Sequence, residues 1–498
     1  MPVSLLRARD ALGVRPGRLF IGGRWVDWEG ERFEQINPSS NEVMTTFPVA
    51  GKRGVDMAVA AARVAFDTGP WPVMCAQDRG RVLRSIIQKI YAASEELQKL
   101  QCLDNGMPYE MTRNSRISAA RCAEVFEHYA GWIDKINGET YPIFSSSSNM
   151  QYFSFREPVG VVAAILPYNG PLLLFAVKVG AALACGCTVV VKPSEYTNLA
   201  VTRLVEIFAE SELPPGVLNL VTGAGETGAA LAGHPGINHV SMTGSPEVGE
   251  KVYAAGAPTI KRLTLELGGK SAGIVFPDTR SVETAASTLM GICSTFMSGQ
   301  ICSTPSRAIV HRSILEEFVH FATQKARQVR FGDPFDSGTT SAPMISKRQL
   351  SKVLGLVESA RNEGATVAFG GDQPTGDLSN GNWINPTLVH ARSHMRVARE
   401  EVFGPVLSVL PFDDESEAIA MANDSVFGLA GCVYTTDVSR AFRVARAIRS
   451  GCIGINNFAS VPNAPFGGVK RSGLGREGGW HAIEAFTELK TINVNLDA

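Results

Sequence analysis

The chain reads as an α/β protein with two parallel-sheet units and a small β element outside them. Three observations carry that expectation. Between residues 158 and 270, apolar runs rich in β-branched residues ("VGVVAAILP", "CTVVVKPS", "GVLNLVTG", "HVSMTG", "RLTLELGG") recur, with helical segments between the first four. Such near-continuous runs alternating with helices belong to a parallel sheet covered on both faces. A second alternation starts after Gly269, with "SAGIVF", "SRAIVH", "TVAFGG", "NWINPTLV", "LSVLPF", "GCVYTT" and "CIGINN" separated by helical patterns such as "SILEEFVHFATQKARQV". Two segments, 145–157 and 481–496, fit neither series, and the second ends in an alternating strand. Both are expected to pair with an edge outside the core, which suits a subunit contact.

Taken in chain order, residues 19–50 mix short β-rich runs with Gly, Asn, Pro and Ser breakers and read as a hairpin. "RGVDMAVAAARVAFDTG" and "RVLRSIIQKIYAASEELQKLQCLDNG" place apolar residues at helical spacing and lead into the first alternation. No repeat of fixed period occurs, and "SSSS" at 145–148 reads as an exposed turn.

Composition bounds the function. A chain of 498 residues holds roughly three domain-sized units at about 150 residues each. With 45% hydrophobic and 19% charged residues it is an ordinary globular chain, and a net charge of -1 offers no basic surplus for nucleic acid. Arg7, Arg9 and Asp10 interrupt the N-terminal stretch before a signal-peptide core forms, and no 18 uncharged apolar residues run together. A soluble cytoplasmic protein without a membrane partner is expected. Nine scattered cysteines lack CxxC spacing, and eight histidines show no HExxH, so no disulfide framework and no metal site is expected. Cys185 and Cys187 read as small buried thiols at a helix-to-strand junction.

Five stretches carry chemistry. "GAGETG" (223–228) satisfies G-x-G-x-x-G between a strand and a helix, but no acid about 20 residues on completes a dinucleotide fingerprint, so it reads equally as a tight turn. In "TGSPEVG", Gly244 and Ser245 open a helix whose first amides suit a phosphate. "VVVKPSEYTN" sets Lys192 and Glu195 beyond a strand's carboxyl end, fit either to hold a ribose or to form a surface ion pair. "LTLELGGKS" puts Glu266 before two glycines, where a carboxylate in a partly apolar pocket has the raised pKa of a general base. "GQICSTPSR" sets Cys302 among small residues, as a buried spacer or a nucleophile.

Together with "EPVGVVAAILPYNGPLLL", "EEVFGPV" and "PFGGVKRSGLGREGG", the last four of these stretches stand in one order, and over nearly its whole length the chain resembles the NAD(P)-dependent aldehyde dehydrogenases, of the hydrolytic, non-acylating branch. The resemblance implies two Rossmann-like domains, with 1–139 and 160–269 binding the cofactor, 270–478 catalytic, and strands in 140–159 and 479–498 joining the subunits of a homodimer or homotetramer. It implies Cys302 as nucleophile, the Asn169 amide with the Cys302 N–H as oxyanion donors, Glu266 as the base for water, and Lys178 with Glu477 as a proton relay behind it. The alternative for the last two is a buried ion pair that orders the floor of the site. Lys192, Glu195, Gly244, Ser245, Glu401, Phe403 and Pro167 match cofactor contacts. A carboxylate at 195 accepts from free ribose hydroxyls and repels a 2′-phosphate, so NAD is favoured over NADP.

Gly170, Leu173, Val177, Phe296, Ile301, Ser303, Phe458 and Phe466 match the substrate tunnel. The family pattern is broken at several of its positions. Tyr168 replaces a common tryptophan, Gly170 and Val177 stand where aromatics are usual, and Met297 with Ser298 alter the approach to Cys302. Losing two rings widens a tunnel, which predicts a bulky or branched, aromatic or terpenoid-like aldehyde, unless Phe296, Met297, Phe458 and Val461 refill the space. Two other activities remain open from sequence: coenzyme A-dependent acyl transfer, against which Glu266 argues, and a non-redox cysteine hydrolase on the same scaffold.

Overall fold

The computed structural model describes residues 2–145, 149–457 and 461–496. Its first sheet has eight strands, five of them parallel: Arg262–Glu266, His239–Thr243, Val161–Ile165, Thr188–Lys192 and Leu218–Leu220, in that spatial order. The chain enters at Val161–Ile165, builds outward to Leu218–Leu220, then returns to the other side with His239–Thr243. That reversal leaves a crevice beyond the carboxyl ends of Val161–Ile165 and His239–Thr243, where doubly wound sheets take ligands.

Every residue of Val161–Ile165 and Thr188–Lys192 is buried, as strands covered on both faces require. Alternate side chains divide between two cores: Val162, Ala164, Val189 and Val191 pack with Ile86, Leu97 and Phe126, whereas Val161, Ala163 and Val190 pack with Val55, Val59 and Val240. Apart from Val240, on the neighbouring strand, those partners lie on the helices Gly51–Asp67, Ala76–Ala92 and Ser94–Asn105, in the stretches expected to be helical, and on Ala119–Ala130, which follows them.

Antiparallel strands finish both edges. On one side Leu19–Ile21 and Arg24–Val26 form a hairpin whose two-residue turn, Gly22 and Gly23, has φ of 61° and 82°, the left-handed pair that such a tight turn needs. On the other, Gly473–Leu474 pairs with Leu265 and Glu266. Residues 19–50 make two hairpins instead of the one expected, the second pairing Arg32–Asn37 with Glu42–Pro48 in a separate sheet.

The second sheet holds all seven expected strands, Thr366–Phe369, Thr387–His390, Val406–Phe412, Arg307–His311, Ala272–Val275, Ala430–Tyr434 and Cys452–Ile455, parallel except for the first. The two unassigned segments do not seek separate edges. Met150–Pro158 and Thr487–Asn495 pair with each other over nine residues, and Thr140–Tyr141 flanks them, while the start of the 481–496 segment belongs to the helix Gly479–Ala485. Leu489, Ile492 and Val494 remain exposed on that ribbon. Of the serine run, 146–148 lie outside the described residues. Among the described residues no helix is long and apolar enough to cross a membrane, and no group of three or more His, Cys, Asp or Glu side chains is placed to hold a metal.

Candidate active site

Cys302 sits on a loop that departs from regular structure because three residues before it are left-handed: Phe296 (φ 67°), Ser298 (φ 51°) and Gly299 (φ 69°). A Cβ on Gly299 would stand 2.3 Å from the Gly404 carbonyl oxygen, so that position needs glycine for space as well as for φ. Gln300 anchors the loop: its Nε2 donates to the carbonyls of Met297 (3.0 Å) and Pro343 (2.9 Å), and its Oε1 accepts from the Ile345 N–H (3.0 Å). Its carbonyl accepts from Asn169 Nδ2 at 2.8 Å, which fixes the Asn169 amide beside the loop. The glycines of "LELGG" meet the same parts from below. A Cβ on Gly269 would lie 2.5 Å from the Cys302 carbonyl oxygen, and one on Gly268 would lie 2.3 Å from Glu401 Oε2.

Glu266 ends the strand Arg262–Glu266, in register with Thr243 on one side and Gly473 on the other. It is 2% exposed, and neither carboxylate oxygen has a hydrogen-bond partner among the described residues. Burial raises its pKa well above the ordinary carboxylate value; Glu477 adds to the rise, and Lys178 and Arg476 oppose it. Lys178 Nζ pairs with Glu477 Oε1 at 2.5 Å and donates to Ser241 Oγ at 3.3 Å. The ion pair envisaged from sequence is therefore present, under Glu266 and coupled to it by charge. Burial pushes the half-buried Cys302 thiol up to about 12, with Glu266 and Glu401 adding, while Arg116 and the Ser303 N–H act the other way.

Two cavities meet at Cys302 and Asn169, which line both. The first, of about 1070 Å³ and open at its mouth, holds Glu266 and Glu477 and the expected wall residues Gly170, Leu173, Val177, Phe296, Ile301, Ser303 and Phe466. Lys178 stands behind this wall, fully buried. Phe458 lies outside the described residues. Tyr168 does not shape this chamber: its ring sits edge-on to Phe403 (6.0 Å) and Tyr196 (6.1 Å), on the other cavity. Sequence reasoning missed Arg116, Ile117, Arg121, Tyr129 and Thr243 in the chamber wall.

The second cavity, a cleft of about 1800 Å³, is the crevice at the strand reversal. Pro167, Lys192, Glu195, Gly244, Ser245, Glu401 and Phe403 all line it, as do Ala224, Gly225, Glu226 and Gly228 of the "GAGETG" turn. Lys192 and Glu195 do not form the surface ion pair that was one alternative: Lys192 is buried and its Nζ donates to the carbonyls of Pro193 and Gly223, both at 2.7 Å. Ser245 caps the helix Pro246–Gly256, accepting from the Val248 N–H, which leaves that helix's positive end facing the cleft. Glu401 Oε1 accepts from the Gly269 N–H at 2.9 Å, and Gln349 Nε2 holds the Phe403 carbonyl at 2.8 Å. A carboxylate that among the described residues accepts only from Ser194 Oγ (3.5 Å), a helix N-terminus and a tethered glutamate along one cleft fit a dinucleotide, with Glu195 on ribose hydroxyls and Gly244 and Ser245 on phosphate.

Known proteins share this arrangement. The model of the aldehyde dehydrogenase family matches residues 25–492. An aldehyde dehydrogenase of Enchytraeus buchholzi is 41% identical over 492 residues, covering 97% of this chain and 96% of that protein. Among solved structures, the betaine aldehyde dehydrogenase of Staphylococcus aureus in complex with NAD+ superposes with a TM-score of 0.94 at 36% identity, covering 99% of this chain and 98% of that one. An NAD-dependent aldehyde dehydrogenase from Sinorhizobium meliloti matches with a TM-score of 0.94 at 36% identity, covering 98% and 96%.

Proposed function

Since the chain belongs to the aldehyde dehydrogenase family, we propose that it oxidises a bulky, apolar-bodied aldehyde to the carboxylic acid with NAD, through an acyl group carried on Cys302. The observation that carries this reading is the position of Cys302 at the junction of the two cavities, with Glu266 unpaired on the chamber side.

The Cys302 thiol must first pass its proton to solvent through the chamber mouth, because only the thiolate adds to a carbonyl carbon. Addition forms the C–S bond and moves the carbonyl electron pair onto oxygen; Asn169 Nδ2, fixed by the Gln300 carbonyl, donates to that oxygen with the Cys302 N–H. Bound NAD supplies the acceptor for the hydride that leaves the carbon. Lys192, Glu195, Gly244, Ser245, Glu401, Phe403 and Pro167 would hold it, and a carboxylate at 195 favours NAD over NADP. Glu266 then takes a proton from water as the water attacks the thioester, and the acid leaves as the C–S bond breaks. Taking that proton neutralises Glu266, a change that Glu477 favours and Lys178 opposes from the ion pair beneath it. The retained Glu266 favours hydrolysis over transfer to coenzyme A.

Chamber geometry supports the substrate class. Ile117, Leu173, Val177, Phe296, Met297 and Ile301 form an apolar wall, and a Cβ built on Gly170 would meet Ile117 (3.8 Å) and Leu174 (3.9 Å) only at ordinary contact distance, so nothing crowds the position where a ring is missing. We assign 1–139 and 160–269 to cofactor binding, 270–478 to the catalytic unit, and the strands within 140–159 and 479–498 to subunit contact, since they leave apolar side chains exposed outside both main sheets.

NADH formation from acetaldehyde, hexanal and 2-naphthaldehyde, run beside Cys302→Ala, tests the reading. Turnover is expected to rise with bulk and to fall by roughly 10⁴-fold or more in the variant, with an acyl adduct on the Cys302 peptide by mass. An active Cys302→Ala enzyme overturns it.

A further inference from the structure

Arg116 is a cation in the chamber wall that the reaction above does not use. It lies in the turn between the helices Tyr109–Thr112 and Ala119–Ala130, and the turn is pinned on both sides of it. Ser115 Oγ donates to the Thr112 carbonyl (2.9 Å) and accepts from the Ile117 N–H (3.2 Å), Gln101 Nε2 holds the Ile117 carbonyl (3.1 Å), and Ser118 caps the following helix. The backbone therefore aims the guanidinium at the chamber at little further entropic cost on binding.

Arg116 makes no hydrogen bond or ion pair with any described residue. The other chamber arginine, Arg121, is already paired with Glu124, and the charge of Glu266 is answered by Lys178 and Arg476. Burial holds the Arg116 guanidinium below its usual value, and Cys302 is the group whose charge acts on it. Arg116 is only partly buried, and a ligand that covers it must bring an anion to offset the loss of water around the guanidinium. Cys302 cannot fill that role in the resting protein, where its thiol is held protonated, nor in the acylated protein, where the sulfur carries no charge. An anion on the substrate persists through every stage. A planar guanidinium matches a carboxylate in two parallel hydrogen bonds, and the apolar wall of Ile117, Leu173 and Ile301 suits a chain or ring between that carboxylate and the reacting carbonyl.

We propose that Arg116 determines specificity by receiving the carboxylate of an aldehyde acid, so that the favoured substrates carry an anionic group separated from the aldehyde by an apolar spacer. This rests on the aldehyde oxidation proposed above and narrows its substrate class.

Matched pairs test it: hexanal against 6-oxohexanoate, and benzaldehyde against 4-formylbenzoate. The wild-type kcat/KM is expected to favour the acid member by roughly 10- to 100-fold, the worth of a charge-assisted pair. Arg116→Met should bring the ratio to about one, chiefly through KM, and Arg116→Lys should keep part of it. A wild-type ratio of one or less overturns the proposal, as does a ratio unchanged in Arg116→Met. Equal losses on both members would place Arg116 on Cys302 instead and overturn it too. A binding readout separates this from the oxidation: adipate should slow iodoacetamide alkylation of Cys302 in the wild type and not in Arg116→Met. Protection without NADH from any aldehyde would sink the oxidation and leave the anion site standing; no protection sinks the anion site.

Discussion

The two cavities that meet at Cys302 are built on opposite principles. In the cleft, polar groups already have partners: Lys192 holds two carbonyls, Glu401 the Gly269 N–H, Ser245 a helix end. In the chamber Arg121 and Glu477 are paired, but several other groups are not. Both oxygens of Glu266, Oδ1 of Asn169 and the Arg116 guanidinium stand without partners among the described residues, in walls that are largely apolar. A surface that positions a ligand gains from being pre-assembled, whereas groups that must change charge or accept a proton need their capacity left open. The contrast lies in hydrogen-bond satisfaction more than in composition, since both cavities contain carboxylates and cations.

Substitutions sharpen that contrast in order of effect. Glu266→Gln removes the open base and is expected to lower steady-state turnover by about 10²- to 10⁴-fold while the first turnover survives, so that a burst of NADH is followed by a stalled acyl-enzyme. The same variant tests the cost of leaving a carboxyl unpaired. The folded-state pKa of Glu266 is raised, so the folded protein retains a proton that the unfolded chain releases; stability relative to the variant is preserved at low pH and falls as pH climbs through the unfolded value of about 4.3. Melting curves should show little difference at pH 4 and Glu266→Gln the more stable at pH 7; a less stable variant at pH 7 would break the comparison. Asn169→Ala removes a donor to the developing oxyanion and should lower kcat by about 10²- to 10³-fold with little change in NAD affinity. On the cleft side, Glu195→Gln should change only discrimination, raising the NADP-to-NAD ratio of kcat/KM by roughly 10-fold; a collapse of kcat there would show that the cleft, too, keeps a reacting group open.

The sheets were legible because their strands carry a local signal. Runs such as "CTVVVKPS" and "GCVYTT" are apolar throughout and bounded by breakers, and they became buried parallel strands. The pairing of Met150–Pro158 with Thr487–Asn495 was not legible, since two distant segments with unpaired edges say nothing in sequence about which edge they choose. The motif "GAGETG" was discounted for want of a downstream acid, yet its turn lines the cleft because it follows a strand at the carboxyl edge of the sheet. Tyr168 was read among the tunnel positions because it replaces a tryptophan common in the family, but it lines the cleft alone, whereas Asn169 beside it lines both cavities. Arg116 gave no signal at all: in "TRNSRIS" a cation in a polar turn looks solvated, and only its place in the chamber wall without an anion sets it apart.

The short strand Gly473–Leu474 closes the edge of the first sheet against Leu265 and Glu266, and Glu477 follows it to meet Lys178. The floor of the chamber is thus completed by a segment far in sequence from the strand that it closes. The buried seat of Glu266 therefore exists only where two distant stretches of the chain have met, and neither stretch makes it alone.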